Sequence, residues 1–164
     1  RQGPGQDPEG ESVMRIEEAL CRFFDATSSI SALVGAGAAA RVYPSERPQA
    51  KPNKSNMPAI VYHRITTARD MTHDGGAGGG GGVYPGCTQV RIQLDLYGLT
   101  DSGAGQLAEA VRLALDGFKG SMGGSGGVDV QAAFIDDEQS GFENDGSDLK
   151  LHWKQMDLMI WHAE

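Results

Sequence analysis

Cysteine is scarce: Cys21 and Cys87 are the only two in the chain. Two cysteines so far apart give neither a disulfide framework nor a zinc cluster, and they suggest a reducing compartment. Basic charge is also short, with 14 Lys and Arg against 22 Asp and Glu, a net charge of −8 and a pI near 4.9. Sequence-independent grip on phosphate backbones comes from Lys and Arg releasing counterions, so tight binding to naked DNA is not expected. Long apolar runs are missing as well. No stretch approaches the roughly 18 consecutive apolar residues of a membrane span, and the first residues lack the basic-then-apolar order of a signal peptide. The expectation is a soluble chain with no membrane partner. Its 164 residues suit one domain, which at that size buries about 70% of its unfolded surface.

Residues 1–10 read RQGPGQDPEG and offer nothing to bury, so residues 1–12 are expected to be a flexible N-terminal arm and residues 13–164 a single domain. From there Val13, Ile16, Leu20, Phe23 and Phe24 recur at three-to-four-residue spacing, one face of an amphipathic helix. Ile30, Leu33 and Val34 predict a second short helix closed by Gly35 in a left-handed cap. A brief strand at residues 41–43 meets Pro44, and residues 45–56 form a loop with no periodic apolar residue. Residues 58–65 and 88–97 read as strands. In the second, Val90, Ile92, Leu94 and Leu96 alternate with Arg91, Gln93, Asp95 and Tyr97, the pattern of an antiparallel sheet with one buried and one polar face. The glycine-rich connection at 74–82 is too flexible to hold one conformation unaided.

Asp101 or Ser102 is placed to cap a helix with Leu107, Val111, Leu115 and Phe118 on its core face, stopped by Gly117. Ala110 and Ala114 permit close packing on a sheet. After a glycine cluster at 120–127, Val128, Val130, Ala132 and Phe134 alternate as a further strand, followed by an acidic loop from 136 to 148. In the last strand, Leu149, Leu151 and Trp153 share one phase and Met156, Leu158 and Ile160 the other. Either a bulge near Lys154 and Gln155 returns both sets to the core, or the strand is regular and a neighbouring subunit buries the second set. The bulge is the favoured reading, because the alternative leaves an apolar patch exposed before assembly.

Motifs of chemistry are weak. Residues 35–40 and 103–108 both fit a relaxed GxGxxA, and the second follows a strand and opens a helix. The strand before it carries Arg91, Gln93 and Asp95, whereas the first strand of a dinucleotide fold is apolar on both faces. A simple N-cap turn is therefore expected there, and the alternative is an enzyme or ligand-binding domain using the Gly103 turn. There is no GxxxxGK[ST] phosphate loop and no GxSxG elbow. His63, His73, His152 and His162 show no zinc spacing and read as surface or edge residues. Cys21 lies beside Leu20 and Phe23 with nothing to stabilise a thiolate, and Asp136, Asp137 and Glu138 lack the spacing of a calcium loop. No cofactor and no metal are expected.

Taken in order, the segments resemble the small tail-completion proteins that terminate the tail tube of long-tailed phages and related gene transfer agents. The resemblance is carried by the first helix, RVYP at Arg41, PAIVYHRI at Pro58, the pairs Arg69-Asp70 and Asp74-Gly75, VRIQLDLYG at Val90, LAEAVRLALDGF at Leu107, VQAAFIDDE at Val130 and DLKLHWKQMDLMIW at Asp148. It runs from about Val13 to Trp161; the glycine-rich insertions and the N-terminal arm depart from it. The resemblance implies an α+β subunit, a mainly antiparallel sheet with two longer helices on one face. It implies a structural virion protein, not an enzyme, that forms a ring of commonly six copies. That ring caps the tail tube and joins it to the head connector or head-completion protein, DNA passing through without tight binding. Its place is the virion tail or neck, after assembly in the host cytoplasm, and another neck or head-completion role is the near alternative. Arg69, Asp70, Met71, Tyr84, Arg91, Tyr97, Asp136, Asp137 and Glu138 are the expected contacts between subunits or with the tube.

Overall fold

A computed structural model describes residues 13–70, 87–144 and 150–163. Along the chain run α1 (Ile16–Ala26), α2 (Ser28–Val34), a 3-10 turn (Gly37–Ala39), β1 (Val42–Pro44), β2 (Ala59–Asp70), β3 (Cys87–Gly98), α3 (Asp101–Leu115), β4 (Gly120–Met122), β5 (Val128–Asn144) and β6 (Lys150–Ala163). The strands form one sheet in the order β1-β2-β3-β6-β5-β4. Only the β1·β2 pair is parallel; the other four are antiparallel. This is the α+β architecture expected.

Strand alternation divides the sheet into two faces. Val90, Ile92, Leu94 and Leu96 of β3 point to one side and are fully buried. Ile16, Leu20 and Phe24 of α1 and Leu107, Val111 and Leu115 of α3 pack onto the same core, so both longer helices cover one face. At roughly 1.5–3 kcal/mol for each large apolar side chain taken from water, this layer supplies most of the folding drive. Val13 stands outside it: it precedes α1 and is 84% exposed, because the helix begins only at Ile16.

The ends of the helices differ in detail from expectation. Thr100, rather than Asp101 or Ser102, is the N-cap of α3, its Oγ1 accepting from the Gly103 N–H at 2.9 Å. Gly35 closes α2 with φ of 82° but ψ of 172°, a positive-φ glycine outside the left-handed helical region. A Cβ there would sit 2.7 Å from the Ala39 carbonyl oxygen, so the position requires glycine on steric grounds too.

Larger departures come from β4, β5 and β6. The glycine cluster contains a strand, β4, which buries Met122 against the core. Residues 136–144 of the segment expected as an acidic loop are instead the second half of β5, which runs to Asn144 and pairs with β6 throughout, and residues 145–148 lie outside the described residues. Register shifts between Val130 and Ala132 and between Ile135 and Asp137 mark bulges in β5. The first reverses the phase, so Ala133 is buried and Phe134 is 45% exposed, whereas plain alternation puts Ala132 and Phe134 inward. β6 carries no bulge on β3: its pairing is unbroken from Ala163 opposite Cys87 to His152 opposite Gly98. Met156, Leu158 and Ile160 lie in the main core under this chain's own helices. Leu151 lies on the other face, where Met57, Ala59, Tyr43, Tyr97 and Leu99 cover it. Neither explanation for the phase change holds, because the sheet has apolar cover on both faces at this end. Leu149 lies outside the described residues.

Candidate functional site

The face opposite the helices is covered at the β1 end and elsewhere carries half-buried side chains. It is built by the odd-numbered residues of β3 and β6 and their partners on β2 and β5. At its centre Asp95 accepts from Gln93 Nε2 at 3.1 Å and Gln155 Nε2 at 3.0 Å, and its Oδ2 lies 3.2 Å from His63 Nε2. Further along the same strand, Arg91 is ion-paired with Asp157 of β6. The hydrogen bond from Arg91 to Asp157, and then the charge of Asp157, hold the guanidinium above its ordinary pKa. Asp137, opposite Asp157, accepts from Gln139 at 3.1 Å. Two aromatic patches flank this polar band. Phe134 packs on Trp161 with ring centroids 5.1 Å apart, and Trp153 lies over Gly141, where a Cβ would fall 2.5 Å from the ring.

At the β1 end, residues 45–52 fold beside this face and enclose a cleft of about 500 Å³ with Val61, His63 and Tyr97. Arg47 stands over the Tyr97 ring at 5.7 Å from its centroid. Burial, then the nearby Asp95 and Glu143 carboxylates, push the Tyr97 phenol above its ordinary pKa. On the helix side, Cys21 is hydrogen-bonded to Tyr62, and burial raises the pKa of both, that of the phenol to about 12. A thiol held protonated in this way is a poor nucleophile.

The sequence-predicted contacts scatter over this framework. Arg91 and Asp137 lie in the polar band opposite the helices, and Tyr97 lies on the same face at its covered end. Asp136 is the extra residue of the second β5 bulge. Glu138 points to the helix side, where Arg112 of α3 reaches it at 3.3 Å. Arg69 is exposed near the end of β2, opposite Thr88, and Asp70 closes the strand. Met71 and Tyr84, like His73 and the glycines at 75–82, lie outside the described residues. The acidic triplet therefore does not act as one cluster, and among the described residues no three His, Cys, Asp or Glu side chains converge as metal ligands. Gly103 and Gly105 lie inside α3 rather than in a phosphate-cradling loop before it, and Gly98 serves packing, since a Cβ there would lie 2.6 Å from the Ala104 nitrogen. No helix among the described residues is long and apolar enough to cross a membrane. Sequence reasoning missed Asp95 as a hub: its partners His63 and Gln155 are 32 and 60 residues away and meet it only through strand register.

These features define a small α+β domain with one sheet face under its own helices and the other carrying polar and aromatic side chains. The chain belongs to the family of tail completion protein gp17, whose model matches residues 18–163. Among solved structures, it is similar to a chain from the virion of a native gene transfer agent particle. The two share 10% identity with a TM-score of 0.61, over 94% of this chain and 100% of the other. That likeness is one of fold. No curated protein sequence matches the chain.

Proposed function

We propose that this chain is a structural virion protein of the tail, a terminator that assembles as a ring, with six copies as the expected number. In this reading the ring caps the tail tube and joins it to the head connector or head-completion protein. Each subunit meets the next through two different patches, the heterologous contact that closes a ring. Its place is the tail or neck of a phage or gene transfer agent particle, assembled in the host cytoplasm. One observation carries this reading: the chain covers one sheet face with its own helices and leaves the other as a band of polar and aromatic side chains. Arg91, Tyr97 and Asp137 are proposed contacts within that band, and Arg69, Asp70 and Asp136 contacts at its margins. Glu138 is less suited, being engaged with Arg112.

Electron microscopy and light scattering of the purified chain, with and without tubes of the cognate tail protein, test this. Rings bound at one end of the tubes are expected. Monomers in both samples would exclude it.

A further inference from the structure

Resting on the ring reading above, we infer that the ring closes by strand pairing: the free edge of β2 in one subunit adds, antiparallel, to the free edge of β5 in the next. β1 pairs with β2 only at residues 60–62, and β4 pairs with β5 only at residues 128–130. Along residues 63–70 of β2 and 136–144 of β5, one edge of each strand therefore has no strand partner among the described residues; just before the second stretch the Gly117 N–H donates to the Ala133 carbonyl at 2.8 Å and Asp116 accepts from the Ile135 N–H at 3.2 Å. An unpaired row of N–H and C=O groups is a template for another strand.

Three features make a second copy of this chain the occupant. Direction is the first. β2 is antiparallel to β3, β3 to β6 and β6 to β5, so β2 and β5 run oppositely. Copies set side by side in the same orientation then meet as an antiparallel pair, and the sheet continues across the boundary. Position is the second. β4 caps β5 level with His162 and Thr88, whereas β1 caps β2 level with Leu94 and Leu96. The caps sit at opposite ends, so neighbouring strands slide past each other with a stagger, and a sheet closing on itself requires such a stagger. Charge is the third. The β5 edge carries Asp136, Asp137 and Glu143 with no Lys or Arg, whereas the β2 edge carries Arg69 with Asp70, its Arg64 being ion-paired with Glu17. Two β5 edges repel, and a β2 edge without that acidic excess is the better complement. The bulges at Ile65 and Asp136 lie on these same edges and restrict indiscriminate pairing with other strands.

Reciprocal charge reversal tests the pairing. Thr67→Glu with Arg69→Glu makes the β2 edge acidic, and Asp136→Lys with Asp137→Lys and Glu143→Lys makes the β5 edge basic; the replaced residues are exposed. Each variant alone is expected to lose rings while keeping its circular dichroism and melting temperature. Mixed in equal amounts, the two should recover rings, because each unlike pair of edges is again complementary. Amide exchange on the unaltered chain gives a reading independent of folding in the variants: the amides of residues 63–70 and 136–144 that point away from β3 and β6 should exchange at least tenfold more slowly in rings than in monomers. Rings formed by either variant alone, or rings in which either edge exchanges as in the monomer, overturn strand pairing and leave the ring reading standing. Absence of rings from the unaltered chain on tail tubes overturns the ring reading and this inference with it.

Discussion

Thr100, Gly98 and Tyr62 show how single residues hold the helical layer to the sheet. Thr100 satisfies one of the four orphan N–H groups at the start of α3, and its replacement by Ala should cost about 1 kcal/mol in denaturant unfolding. Gly98→Ala drives a methyl into the Ala104 backbone, which cannot move without shifting α3. Overpacking of that kind costs roughly 1–3 kcal/mol, so the substitution should lower the unfolding midpoint more than Thr100→Ala. Tyr62 makes an alkaline prediction. Its phenol is raised from 10.0 to about 12 by burial first and by the Cys21 hydrogen bond second. Its contribution to stability is therefore full below pH 10 and is lost as the pH rises towards 12, because only the unfolded chain gives up that proton readily. Over that window the unaltered protein should lose stability more steeply than Tyr62→Phe, as followed by unfolding at a series of pH values.

The elements show where alternation is a sufficient guide and where it is not. Along β6 the side chains strictly alternate between a helix-covered face and the opposite one. Leu158→Asp should unfold the subunit, since an unpaired charge in the main core costs several kcal/mol. Met159→Asp, one residue on and half-buried on the other face, should melt within a few degrees of the unaltered chain. Calorimetry on both variants checks the face assignment directly. The regular alternation of β3 was legible in sequence because one face is apolar and the other polar from Thr88 to Tyr97. β6 was harder to read because Leu151 has its own apolar cover from Tyr43, Met57 and Tyr97, contributed by distant parts of the chain. β5 was misread past Ile135 because its second half carries Asp136, Asp137, Glu138, Gln139 and Ser140, a composition normally found in loops. Backbone pairing with β6 holds it extended regardless. β4 was invisible for a related reason: only Met122 buries a large side chain, and glycine hides the strand. At the candidate site, Arg91 and Tyr97 could be assigned to the polar face from their own strand, whereas the His63–Asp95–Gln155 cluster depends on register across three strands.

For the whole molecule, net charge of −8 and a sheet face carrying Asp95, Asp137 and Asp157 disfavour phosphate backbones. Duplex DNA should show no salt-sensitive affinity in an anisotropy titration at low salt, where electrostatic binding is strongest. A low-affinity surface is what a channel for DNA would need, so this measurement bears on the proposed ring as well as on the isolated subunit.

β6 follows every other described strand in sequence but lies in the middle of the sheet, between β3 and β5. During synthesis, β3 and β5 are both made before the strand that joins them, so until residues 150–163 arrive the two halves of the sheet face each other with no hydrogen-bonded link. Such non-local pairing is slow and exposes edges while it waits. A chain cut short before β6 lacks Met156, Leu158 and Ile160 from the core and leaves β3 and β5 unjoined. In the proposed ring, the order of the strands alone would keep such incomplete copies out.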